Sequence, residues 1–174
     1  AYNHDNFIEE TIESSLNQTY KNIELIIVDD SSPDSTFEKA VSLTSKLDGK
    51  TPPRHKIVRN KNNLGICKTL NRGLSLASGD YIFILFSDNF LHAECIETMV
   101  SVAKKNTQFQ GLLICDFYRV DFDSVIIGSY EPKFLGEGIL NKANLLEAIF
   151  TVSGDEFMTA PYLMSRESLN NMGG

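Results

Sequence analysis

The sequence predicts an α/β fold, in which a mainly parallel sheet is sandwiched between two layers of helices. Three observations lead there. Leu25-Ile-Ile-Val28 and Tyr81-Ile-Phe-Ile-Leu-Phe86 are short unbroken apolar runs, the signature of strands buried on both faces. Segments with apolar residues at helical spacing alternate with such runs, as in a β-α-β-α-β chain. Both runs end in oxygen-rich clusters, Asp29-Asp30 and Ser87-Asp88-Asn89. Open α/β sheets bind ligands beyond the carboxyl ends of their strands.

Each element has its own local reason. Asn6 followed by Glu9 is a capping pattern, and Ile8, Ile12 and Leu16 follow at helical spacing. After the Leu25–Val28 strand, Ser32-Pro33 predicts a helix start with Ser as cap, running to about Leu47. Thr51-Pro52-Pro53 breaks the chain, and Lys56-Ile57-Val58 reads as a short strand. Asn62-Asn63-Leu64-Gly65 is a turn. The next helix carries Ile66, Leu70, Leu74 and Ala77 on one face and closes at Ser78-Gly79. Tyr81–Phe86 is the strongest strand, followed by a helix from about Ala93 to Lys105. A strand over Leu112–Val120 turns at Asp121–Ser124 into Val125–Tyr130. Asn141–Phe150 reads as a helix, Phe157–Met164 as a strand and Arg166–Met172 as a short helix.

Composition narrows the functions. The chain has 174 residues, a size at which one domain buries ~70% of its unfolded surface. With 16 Lys+Arg against 23 Asp+Glu, the net charge is −7, which argues against a nucleic-acid partner needing a basic face. The longest apolar run is far below the ~20 residues of a spanning helix, and no signal-peptide pattern is visible. Cys67, Cys95 and Cys115 are odd in number and widely spaced, which fits buried thiols rather than a disulfide or zinc framework. His4, His55 and His92 show no metal-ligand spacing, although His4 can lie near a ligand. No Gly-rich phosphate loop is present. Asp88, flanked by Ser87 and Asn89, offers the hard oxygen ligands that Mg²⁺ takes together with substrate phosphates. A bound cation would also offset repulsion between an acidic chain and an anionic substrate. For Asp29, Asp30 and Asp88 the plainer alternative is capping of the following helix.

Longer motifs support a family resemblance. Tyr2-Asn3-His4-Asp5-Asn6 through Asn17-Gln18-Thr19-Tyr20 resembles the opening of a family 2 glycosyltransferase. Val28-Asp29-Asp30-Ser31-Ser32-Pro33-Asp34-Ser35-Thr36 resembles the family's V-D-D-G-S-x-D-x-T, with Ser31 in the glycine position. Asn63-x-Gly65, Asn71-x-Gly73 and Ala77-x-Gly79-Asp80 resemble its middle block, with Leu70 where an Arg is frequent. Phe86-Ser87-Asp88-Asn89 stands where the family carries D-x-D-D, so its first and last acids are replaced.

The resemblance implies a GT-A, Rossmann-like α/β/α sandwich, a nucleotide-sugar donor, a divalent cation (Mg²⁺ or Mn²⁺) and inversion at the anomeric carbon. Carried over by position, Tyr2 stacks on the base, Asp30 hydrogen-bonds it and Asp29 supports the loop. Asn63, Gly65 and Ser87 line the nucleotide site, and Asp88 with Asn89 binds the metal. Residues 1–92 would form the nucleotide half of one domain and 93–174 the acceptor half. UDP-sugars are the expected donors and a glycan or lipid-linked hydroxyl the acceptor, in cell-surface polysaccharide synthesis. The expected location is the cytoplasm, with peripheral association at the inner face of the membrane as an extension of it. Against the family pattern, the first strand and the segment bearing the general base are missing from these 174 residues. The isolated chain is therefore expected to be marginally stable and inactive; Asp155 and Glu156 are weak candidates for the base. Two alternatives remain: a degenerate, non-catalytic nucleotide- or glycan-binding module of the same fold, and a receiver-like or flavodoxin-like domain. The Tyr2-Asn3 and Asn63-x-Gly65 blocks argue against the latter.

Overall fold

The computed structural model describes residues 1–45, 54–105, 112–115, 117–130 and 162–171. Helix α1 (Ile8–Leu16) buries Ile8, Thr11, Ile12 and Ser15, one stripe at helical spacing. Its start differs from the expected Asn6–Glu9 cap: Phe7 is the capping residue and no side chain bonds there. The His4 carbonyl accepts from the amides of Phe7 (3.1 Å) and Ile8 (3.0 Å), so a backbone turn satisfies these donors. Strands β1 (Glu24–Asp29) and β2 (Arg54–Arg59) pair in parallel, Leu25 opposite His55 and Asp29 opposite Arg59.

Helix α2 (Thr36–Ser45) joins them and starts later than the Ser32-Pro33 signal predicted. The Ser32 hydroxyl donates to Asp29 and accepts from the Asn3 amide (3.1 Å), so it is turned away from the helix amides. Asp34 takes over at the helix start, accepting from the Thr36 amide (3.1 Å) and hydroxyl (2.6 Å). Helix α3 (Ile66–Leu76) packs on β1. Leu70, Leu74 and Ala77 of its predicted face are half-buried, whereas Ile66, at the open end beyond Gly65, is 53% exposed.

Strand β3 (Tyr81–Ile84) stops short of Phe86, whose carbonyl closes a turn on the Asn89 amide (3.1 Å). Helix α4 (Cys95–Lys105) follows. The predicted strand over 112–120 divides into β4 (Leu112–Ile114) and β5 (Phe117–Val120), which join different sheets. Strand β5 forms the expected hairpin with β6 (Ile126–Tyr130). Strand β7 (Tyr162–Ser165) lies between β3 and β4, antiparallel to both, and leads into α5 (Arg166–Asn171). The predicted helix at 141–150, and Asp155 and Glu156, lie outside the described residues.

Two apolar clusters hold these pieces. One gathers Ile8, Ile12, Ile27 and Ala40 under α1 and α2. The other gathers Leu91, Ile96, Met99, Val100, Ala103 and Leu163 under α4. Between the β1–β2 and β3–β7–β4 sheets lies a cavity of about 540 Å³, lined by Ile26, Val28, Gly73, Ile82 and Ile84 among others. Ala1 lies at its end against the free edge of β1. Its ammonium donates to the Val28 carbonyl (2.6 Å) and its carbonyl accepts from the Asp30 amide (2.8 Å). That is the bonding pattern of a parallel ladder, with Ala1 beside Asp29.

Gln18, 1% exposed, joins the end of α1 to the start of α4. Its amide nitrogen donates to the carbonyls of His92 (2.9 Å) and Ser14 (3.0 Å), and its oxygen accepts from the Ile96 amide (3.0 Å). None of the three cysteines is in a disulfide. Among the described residues, no helix is long and apolar enough to cross a membrane.

Candidate functional site

The carboxyl ends of β1 and β2 and the N-terminal loop meet at one place. Three successive amides of that loop are held by side chains of the loop after β1. Asn3 donates to Ser32 Oγ (3.1 Å), His4 to Thr36 Oγ1 (2.9 Å) and Asp5 to Asp34 Oδ2 (3.0 Å). Both chains turn through left-handed residues here, Asn3 (φ 55°) and Ser31 (φ 63°). Tyr2, between Ala1 and Asn3, remains 46% exposed.

Asp29 and Asp30 end β1 and are both buried. Asp29 is spent on structure: it accepts from the Ser32 amide (3.0 Å) and hydroxyl, and pairs with Arg59 Nε (3.2 Å). Arg59 also donates to the Ser32 carbonyl (2.6 Å) and lies over the Phe37 ring, clamping the loop. Asp30 gathers donors from β2 and α3. Its Oδ1 accepts from Asn60 Nδ2 (2.6 Å) and the Leu64 amide (2.8 Å), and its Oδ2 from the Gly65 amide (2.9 Å). Burial pushes its pKa up, but the hydrogen bonds from Leu64, Asn60, Thr69 and Gly65 prevail and hold it below the usual carboxylate range. Asn63 shapes the loop by accepting from the Gly65 amide (3.1 Å), and Gly65 takes φ 81°. Leu64 (44% exposed) and Ile66 stand exposed on this loop. Neither carboxylate caps a helix, so the plain alternative fails for both.

Beyond β3, Ser87 is hydrogen-bonded to His4 Nδ1 (2.8 Å), which ties the Asp88 loop to the loop bearing Tyr2. Asp88 is exposed and makes no hydrogen bond or ion pair among the described residues; Asn89 is half-buried. Among the described residues, no three His, Cys, Asp or Glu side chains gather to hold a metal. This donor set does not fit a cation caged by protein. It fits one that takes a single carboxylate and draws its other ligands from water and phosphate oxygens.

The structure thus gathers Asp29, Asp30, Asn63 and Gly65 at the carboxyl end of β1, with Tyr2 on the chain that runs beside it, and links Ser87, with its neighbours Asp88 and Asn89, to the Tyr2 loop through His4. Sequence reasoning missed Asn60, Thr69, Arg59 and Arg72, the polar shell around the two aspartates. The available signal was the position of Asn60, one residue past a strand end, where Asp30 also sits.

Comparison with known proteins bears on the family and the fold. The model of the family described as glycosyl transferase family 2 matches residues 1–157. A Haemophilus influenzae protein described as an uncharacterized glycosyltransferase is 41% identical over 129 residues, covering 74% of this chain and 38% of that protein. Glycosyltransferase GlyG of Streptococcus pneumoniae is 32% identical over 120 residues, covering 69% and 38%. The chain therefore spans less than half the length of these relatives. Among solved structures, the mannosyltransferase PcManGT of Pyrobaculum calidifontis, in complex with GDP-Man and Mn²⁺, aligns over 100% of this chain and 45% of its own. Its TM-score is 0.65 at 20% identity. TarS of S. aureus (residues 1–349) aligns over 95% and 44%, with TM-score 0.64 at 19% identity. Both likenesses bear on the fold, which is that of GT-A glycosyltransferases.

Proposed function

The chain belongs to glycosyl transferase family 2, and on that premise we propose that it provides the donor half of an enzyme that transfers a sugar, with inversion, from a nucleoside-diphosphate donor to a hydroxyl acceptor. The donor we assign first is a UDP-sugar. The acceptor is a glycan or a lipid-linked hydroxyl, at the cytoplasmic side of cell-surface polysaccharide synthesis. One observation carries the reading: Asp30, a buried carboxylate held ionised by four donors, stands at a strand end with its amide bonded to the Ala1 carbonyl (2.8 Å), next in the chain to the exposed Tyr2.

Tyr2 stacks on the base, and Asp30 accepts an imino N–H from it. The carboxylate is acceptor-only, so it suits uracil or guanine, whose ring nitrogen carries a hydrogen at that edge. Asp29 holds the loop and leaves Asp30 to the ligand. Asn63 and Gly65 keep the loop amides aimed inward. Ser87, Asp88 and Asn89 face the diphosphate, and fixing both substrates there supplies much of the rate. A divalent cation, Mg²⁺ or Mn²⁺, would be held by Asp88 and Asn89 and would offset charge on the leaving diphosphate. The complex with GDP-Man and Mn²⁺ in the Pyrobaculum neighbour supports that assignment. Residues 1–92 carry these groups; 93–174 we assign to the acceptor side. The general base is not assigned to any residue of this chain.

The test is release of nucleoside diphosphate by the intact protein from a panel of donors, with and without chelator. Asp88→Ala should lower release about 100-fold or more, the scale of a lost electrostatic stabiliser. A second reading, a binding module without turnover, is favoured by Phe86 and Asn89, which leave Asp88 as the lone acid of its loop. Binding of donor with no release, unchanged in Asp88→Ala, selects that reading.

A further inference from the structure

We propose that Arg72 is a positioning residue of the nucleotide site, acting through Asn60: it claims the carbonyl oxygen of the Asn60 amide and so keeps the N–H end turned on Asp30. The proposal rests on the reading of Asp30 as the base-binding carboxylate.

An asparagine amide can present either end to a neighbour, and its surroundings decide which. Asn60 is 3% exposed and cannot turn to water. Its backbone amide is fixed on the Asp29 carbonyl (2.8 Å). Helix α3 then supplies two partners of opposite kind, one turn apart. Thr69 Oγ1 accepts from Asn60 Nδ2 (2.9 Å), and Arg72 Nη1 donates to Asn60 Oδ1. Arg72 is itself held, since Nη1 also donates to the Arg59 carbonyl (3.0 Å). With the amide in this sense, Nδ2 reaches Asp30 Oδ1 at 2.6 Å. Reversed, it would set a carbonyl against a buried carboxylate and strand the guanidinium beside an NH₂ group.

The charged groups here are the Ala1 ammonium, which interacts with Asp29, Asp30 and Asp88, the Arg59 partner of Asp29, and Arg72 on α3, which reaches Asp30 through Asn60. Removing Arg72 subtracts a positive charge and frees the amide, and both changes favour the protonated acid, whose O–H opposes a base N–H.

The experiment is calorimetric titration of the intact protein with UDP-glucose between pH 4 and 8, a range in which its diphosphate does not titrate. Urea midpoints are recorded in parallel. Arg72→Met should weaken binding about tenfold at pH 7, the scale of one charge-assisted contact. It should also move the acid limb of the affinity profile up by about one pH unit. Arg72→Lys, which keeps a charge and a donor for Asn60 Oδ1, should restore most of both. Asp30→Asn should abolish binding. If Arg72→Met lowers the urea midpoint but leaves affinity and acid limb in place while Asp30→Asn still abolishes binding, the relay is overturned and the site reading stands. If Asp30→Asn binds like the unsubstituted protein, or that protein does not bind, the site reading itself falls.

Discussion

Replacing Gln18 by Met keeps the side-chain volume and deletes every hydrogen bond that joins α1 to α4 through this residue. The Ile96 amide loses its partner beside a side chain that is 1% exposed, whereas the His92 carbonyl keeps the Cys95 amide (3.0 Å). A buried polar group left unpaired costs about 1–3 kcal/mol. The Ser14 carbonyl, also bonded, lies in the last turn of α1, where water can replace the lost donor. One orphaned donor at the middle of that range gives a loss of about 2 kcal/mol. Urea denaturation of the intact protein followed by circular dichroism measures it, with an unchanged slope showing that the loss is one of stability. Gln18→Glu sharpens the test. One carboxylate oxygen can still accept from Ile96, but the other faces the His92 and Ser14 carbonyls, so the folded state raises the new group's pKa. A raised acid is stabilising only while protonated, so the deficit of Gln18→Glu should grow as pH rises from 4 to 7. A Met variant within 0.5 kcal/mol of the parent (roughly the scatter of ordinary surface substitutions), or a Glu variant insensitive to pH, would refute the accounting.

Two further outcomes are checked in the same way. Glu24 is held at a pKa of about 2, chiefly by its hydrogen bond from Lys56 (2.9 Å), opposed by burial and aided by Ser78. Because the folded pKa is depressed, its contribution is present above the ordinary value of 4.5 and is lost as pH falls toward 2. Lys56 is half-exposed, so screening reduces that contribution to about 1 kcal/mol; Glu24→Gln should flatten the acid limb of stability by that amount. Ser31 holds φ 63°, a region costly for a side chain. Ser31→Gly should therefore raise the urea-derived stability by about 0.5 kcal/mol, net of the entropy glycine gains in the unfolded chain. Ser31→Val should lower it by about 1–2 kcal/mol.

What was legible in the sequence was local. The apolar runs at Leu25–Val28 and Tyr81–Phe86 announced strands because burial on both faces leaves no room for alternation. The stripe through Ile8 and Ile12 announced α1, and the paired aspartates marked the end of β1. Helix starts were less legible, because the competing partners were remote. Ser32 would cap α2 if its hydroxyl were not drawn to Asp29 and the Asn3 amide, and Asn6 would cap α1 if the His4 carbonyl had not already met the first amides. Neither the split between β4 and β5 nor the place of β7 between β3 and β4 has a local signal. Both depend on pairing residues such as Ile82 and Met164, far apart in the chain. Asn60 had only its place one residue past a strand end as a signal; its importance comes from Thr69 and Arg72, which the β2–α3 connection folds back over it.

The paired left-handed turns at Asn3 and Ser31 have a consequence for how such a site changes over time. Two neighbouring stretches of backbone, side by side at Ala1 and Asp29, each turn through a left-handed residue next to Asp30. The place is therefore set by main chain, while in the proposed function its ligand is read by Tyr2, Asp30 and the Asp88 loop. Exchanging those side chains rewrites what is admitted without erasing the place that admits it, so specificity can drift while the scaffold is kept.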